Sequence, residues 1–157
     1  MTRRWTAALM ALAVVAGLAG AAAAQKAPGV IETADAEWSG VQTDLLEVRR
    51  MSDNTIRVRW RWRNTGDKDV TVPESMALGI LREETYLLDP VNKKKHHVVT
   101  DAKGSPIATD IPRQTFRLKA KESFSGWAKF PAPPPNVEKI TVVIAKTPPF
   151  EDIPVTK

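Results

Sequence analysis

A chain of 157 residues with no cysteine and 43% apolar residues has material for one hydrophobic core and no disulfide to support it. Its net charge of +5 arises from 23 basic and 18 acidic residues that are intermingled, which excludes the strong field that nucleic-acid binding needs. The lack of cysteine also excludes a thiol nucleophile, a lipid-anchored lipoprotein and a thiolate metal site.

Residues 1–24 follow the order of a secretory signal: Arg3 and Arg4, then the apolar run Leu9–Leu18, then the small residues Ala22–Ala24 that a signal peptidase accepts. Cleavage after Ala24 predicts an exported protein, periplasmic or extracellular, that starts at Gln25 and has no transmembrane anchor after processing. The rival reading is a retained anchor, because Ala7–Ala24 is 18 residues without a charge, but weakly apolar Ala and Gly dominate that stretch. Thr2-Arg3-Arg4 leaves the twin-arginine route open, while Thr6 and Ala7 favour the general secretory route. The leader holds two basic residues and no acidic ones, so the remaining 133 residues carry +3, a mild bias.

Gln25–Gly40 has small and charged residues with little periodicity and reads as a flexible lead-in whose Trp38 docks on the domain. The domain itself is expected over residues 41–157. Val41–Arg50 is a first strand, ended by the turn residues Ser52-Asp53-Asn54. The clearest strand is Thr55–Asn64, where Ile56, Val58, Trp60 and Trp62 alternate with Arg57, Arg59, Arg61 and Arg63, so one face is core and the other meets water. After the turn Asn64–Asp67 come a short strand Val70–Pro73 and an apolar segment Ala77–Leu81, readable as strand or as one helical turn. Thr85–Asp89 and Lys95–Thr100 flank an Asp89–Asn92 turn, and Asp101–Gly104 predicts a type I turn with Gly104 left-handed, before an edge segment Pro106–Thr109.

Strands are predicted again at Thr115–Lys119, Ser123–Phe130, Glu138–Ala145 and Phe150–Val155. Between them Pro131–Pro135 lacks ladder donors at four of five positions and reads as a stiff connection. About nine short strands with turns at roughly 8–12-residue spacing predict an all-β, antiparallel, immunoglobulin-like sandwich.

Two stretches resemble a poorly characterised group of bacterial exported immunoglobulin-like domains: Thr85–Pro90 with Lys94–Ala108, and Trp127–Pro134 with Pro148–Pro154. The resemblance implies the sandwich fold and an accessory or interaction role, with no catalytic residues to carry over. Where that group tends to have glycine after the Asp-Pro turn, this chain has Asn92 and Lys93, and Asn92 is the residue expected to tolerate a left-handed backbone.

The candidate binding residues are Arg57, Arg59, Arg61 and Arg63, with neighbours about 7 Å apart on one strand face. Charges at that distance repel by only about 0.6 kcal/mol in water, so the row stands without an anionic ligand, and Asp44 and Glu47 are the cross-strand acids available to neutralise it. Adjacent strand residues point to opposite faces, so His96 and His97 do not make a metal pair, and no metal or cofactor is expected. Trp60 and Trp62 share the core face of Ile56 and Val58, whereas Trp127 and Trp38 are freer to be surface contacts. No nucleophile elbow, phosphate loop or dinucleotide fingerprint occurs, and nothing in the spacing of Glu83, Glu84, Asp101 and Asp110 asks for a paired-carboxylate hydrolase. The expected function is therefore a non-catalytic accessory or protein-interaction module of the cell envelope or secretome. The alternative is a binder of an anion or acidic polymer through the arginine face.

Overall fold

The structure is a computed structural model that describes residues 28–72, 81–110 and 116–157. The leader, residues 25–27, Pro73, Thr115 and all of Ala77–Leu81 except Leu81 lie outside them. The described chain is all-β: β1 (Glu32–Asp35), β2 (Val41–Arg50), β3 (Thr55–Asn64), β4 (Val70–Val72), β5 (Tyr86–Asp89), β6 (Lys94–His97), β7 (Phe116–Leu118), β8 (Ser123–Pro131), β9 (Lys139–Val143) and β10 (Phe150–Pro154). They form antiparallel sheets in the orders β1-β2-β3-β8, β10-β9-β5-β6 and β4-β7.

The two four-stranded sheets bury apolar faces in the manner of a β-sandwich. The first contributes Val41, Leu45, Val48, Ile56, Val58, Trp60, Trp62, Ala128 and Phe130, the second Leu87, Ile140, Val142, Phe150 and Ile153. Trp60 and Trp62 pack edge to face with centroids 5.8 Å apart, and Trp62 continues into Phe116 and Phe124. Inside this apolar layer the Thr43 and Thr147 hydroxyls share a 2.7 Å hydrogen bond, which spares two buried polar groups the cost of standing alone.

Both sides of the sandwich are closed by chain that leaves one sheet for the other. After β6, the Val99 amide donates to Lys129 O and the Lys129 amide donates to Ile107 O, so residues 99–109 cover the outer edge of β8. At the opposite side, Thr156 follows β10 into the first sheet, donating its amide to Val48 O and accepting from the Arg50 amide in a parallel bridge opposite Arg49. The proline tract is stapled to the end of β2, where the Arg50 guanidinium donates to Pro133 O at 2.8 Å.

Three expectations need correction. Gln25–Gly40 is not a flexible lead-in throughout, because Glu32–Asp35 pairs with β2 and Thr33 donates to Asp44 across that pair. Its small and charged residues hide the strand from a periodicity reading, since an edge strand of this kind is ordered by its neighbour rather than by its own pattern. Trp38 docks edge-on against Trp62, 5.5 Å between centroids. In the turn after β5, the left-handed residue is Lys93 (φ 53°) and not Asn92, whose side chain is engaged with Asp89 instead. Finally, the second hairpin strand ends at His97, and Thr100 makes only an isolated bridge with Pro106. Gly104 does adopt the left-handed conformation (φ 76°), with Asp101 accepting from the Lys103 and Ser105 amides.

Candidate binding surface

The outer face of the first sheet is built by β3 and its two partners. Strict alternation puts Arg57, Arg59, Arg61 and Arg63 on this face, and their buried neighbours lock the strand so that it cannot rotate them inward. On one side, β8 places Trp127 opposite Arg59 and Lys129 opposite Arg57. On the other, β2 places Asp44 opposite Arg61, Glu47 opposite Arg59 and Arg49 opposite Arg57.

Asp44 and Glu47 are three residues apart, and in a regular strand they would point to opposite faces. The register of β2 against β3 shifts between Leu45 and Glu47, leaving Leu46 as the extra residue of a bulge. This one insertion sends both carboxylates outward while Leu45 and Val48 both enter the core.

The carboxylates divide the row unequally. Asp44 is 1% exposed because its own partners cover it. Arg61 donates through Nε at 3.0 Å and Nη2 at 2.7 Å to Oδ2, Arg63 through Nε at 2.7 Å to Oδ2 and Nη2 at 3.1 Å to Oδ1, and Thr33 at 2.8 Å to Oδ1. Burial alone would push this carboxyl up, but the hydrogen bonds from Arg63, Arg61 and Thr33 and the charge of Arg63 outweigh it and hold the group below the ordinary carboxylate range. The bond to Asp44 in turn raises the Arg63 guanidinium, against the opposing effect of its partial burial. Glu47 accepts from Arg57 Nε at 2.7 Å and raises that guanidinium too.

Arg59 is left with a long 3.9 Å contact to Glu47, and its side chain is 52% exposed. Beside it stands the indole of Trp127, 36% exposed. The backbone of Trp127 is pinned on the far side, its carbonyl accepting from the Thr109 amide at 2.8 Å and its amide donating to the Thr109 hydroxyl at 3.1 Å. Lys129 is tied to Asp53 at 2.7 Å. Arg57, Arg59, Trp127 and Lys129 together line an open depression of about 250 Å³. A planar cation and an aromatic face, side by side on a rigid sheet, suit the capture of a carboxylate with an adjacent apolar group.

The four predicted residues thus share one face but not one condition: Arg61 and Arg63 enclose a buried carboxylate, Arg57 is paired, and Arg59 is open. Trp127 and Lys129 join the site only through the β3–β8 pairing, which the sequence does not announce; the outward parity of Trp127 relative to Ala128 and Phe130 is the signal that points to it. His96 and His97 lie elsewhere on β6, facing Leu87 and Tyr86 respectively. Among the described residues no three His, Asp or Glu side chains converge as metal ligands would, and Glu84 is engaged with Lys146 at 3.1 Å. No family model matches the chain, and comparison with curated proteins and with solved structures likewise finds no match.

Proposed function

We propose that this is an exported, non-catalytic interaction module of the cell envelope or secretome, an immunoglobulin-like sandwich that binds a protein partner through the outer face of its first sheet. The observation that carries this reading is the unequal division of charge there. Glu47 and Asp53 sit among the cations of the depression, so a uniformly charged polymer meets like charge at two of its contacts, whereas a folded partner can place one acid at Arg59 and apolar surface on Trp127. Arg and Trp are also the residue types that dominate binding energy at protein interfaces. The secretory pattern of residues 1–24 supports export, and the antiparallel two-sheet layout supports membership of the immunoglobulin-like class.

The test is a capture experiment on envelope and secreted fractions with wild type, Arg59→Ser and Trp127→Ala. One specific protein should be retained at salt that screens surface charge, and both substitutions should release it. Retention only on an acidic matrix, lost at modest salt and dependent on all of Arg57, Arg59, Arg61 and Arg63, would replace this reading with the anionic-polymer one.

A further inference from the structure

The hairpin of β5 and β6 carries a second surface, independent of the arginine face. Its one carboxylate, Asp89, is 1% exposed and is used up inside the turn, accepting from the Val91 amide at 2.9 Å, the Asn92 amide at 3.0 Å and the Asn92 side chain at 2.7 Å. Residues 90–95 are exposed without interruption. They present Val91, 59% exposed, together with Lys93, Lys94 and Lys95, with the exposed Leu88 just behind.

The lysines at the tip differ from others in similar turns. Lys121 (φ 64°) and Lys146 (φ 60°) also hold the left-handed backbone that lysine adopts only at a cost, and each is tied to a carboxylate, Asp67 at 2.8 Å and Glu84 at 3.1 Å. Lys93 holds the same conformation, yet neither it nor Lys94 has an ion pair with any carboxylate among the described residues. Lys95 turns back over the Tyr86 ring at 3.6 Å.

We infer that the Pro90–Lys95 tip is a peripheral contact with an anionic lipid bilayer, Lys93 and Lys94 meeting headgroup phosphates and Val91 entering the interface. The tip is a turn exposed at every position from 90 to 95, a form suited to touching a surface rather than enclosing a chain. A flat anionic surface satisfies its cations and its exposed apolar side chain together.

Sedimentation with vesicles of phosphatidylcholine alone, and of phosphatidylcholine mixed with phosphatidylglycerol, tests this. Wild type should bind the mixed vesicles selectively, and binding should fall as salt rises. Lys93→Asn with Lys94→Gln should weaken partition about 25-fold, at roughly fivefold per lysine, and Val91→Asp should weaken it as well. Asparagine tolerates the left-handed backbone, and an unchanged melting temperature shows that the variants fold. Residues 1–24, read above as a removable leader, are cleaved off before the assay, so that their own affinity for lipid does not mask that of the tip. Equal binding by wild type and the lysine variant, or retention by a soluble anionic polysaccharide with no preference for anionic vesicles, would overturn the inference.

Discussion

Asp44 and Glu47 face the same side of β2 although they stand three positions apart, because Leu46 bulges out of register between them. The bulge converts what would be one outward acid into two, and so decides which arginine of the row is left open. Removing Leu46 would turn either Asp44 or Glu47 toward the core, where an unpaired carboxylate is severely destabilising. The deletion variant is expected to accumulate as unfolded or aggregated chain, in contrast with Leu46→Ala, which should remain soluble and cooperative in urea.

The depressed pKa of Asp44 sets the sign of a pH dependence. Its native carboxyl binds a proton less readily than the unfolded chain does, so the stabilisation is fully present above the unfolded value of about 3.9 and is lost as pH falls through the lower native value. Urea unfolding between pH 6 and pH 2 should show this loss. Asp44→Asn should cost about 1–3 kcal/mol at pH 6, much less at pH 2, and should flatten that part of the profile.

Gly126 pairs with Trp60 across β3 and β8, and a Cβ placed on it would lie 2.5 Å from the Trp60 ring, with the indole spread over the bare backbone. Gly126→Ala must displace a fully buried ring. The expected loss is about 1–3 kcal/mol, read from the urea midpoint. Trp60 fluorescence should shift as the ring is forced from its site. Combining the change with Trp60→Leu should cost less than the sum of the two single substitutions, because the clash is then relieved.

The buried Thr43 and Thr147 hydroxyls pair at 2.7 Å, and Thr147 also donates to Ala145 O at 3.4 Å. Thr147→Val strands the Thr43 hydroxyl and should cost about 1–2 kcal/mol, whereas Thr43→Val together with Thr147→Val should recover most of that, since both polar groups are then gone. Equilibrium denaturation of the four members of this double-mutant cycle measures the coupling directly.

Arg59→Ser and Trp127→Ala are expected to leave thermal stability within about 0.5 kcal/mol of wild type, since both side chains meet solvent and neither belongs to the core. Arg63→Ser makes a useful contrast, because it uncovers Asp44 and should destabilise measurably. A partner-binding defect in the first two with no change in melting temperature separates the surface role from a structural one.

The strands with strong alternation were legible: β2 and β3 have the bounds that their patterns predict, because seven buried apolar residues and the flanking turn residues leave no other register. β1 was not, since Glu32–Asp35 has no pattern of its own and is held by backbone pairing and the Thr33–Asp44 bond. The arginine row could be read as a face, and Asp44 and Glu47 as its counter-charges, but not the bulge that lets both serve. Nor could the sequence place Trp127 beside Arg59, which depends on pairing between residues 68 positions apart in the chain. Lys93 was missed in favour of Asn92 because conformational preference was weighed without the Asn92–Asp89 hydrogen bond that competes for the asparagine.

The outer edge of β2 beyond its pairing with β1 is completed by Thr156, which reaches Val48 O across a separation of 108 residues. A nascent chain therefore keeps that stretch of edge open until Thr156 has been made. Such long-range closure slows folding. Until then the backbone of Val48 and Arg50 remains a hydrogen-bonding edge for a chaperone to guard.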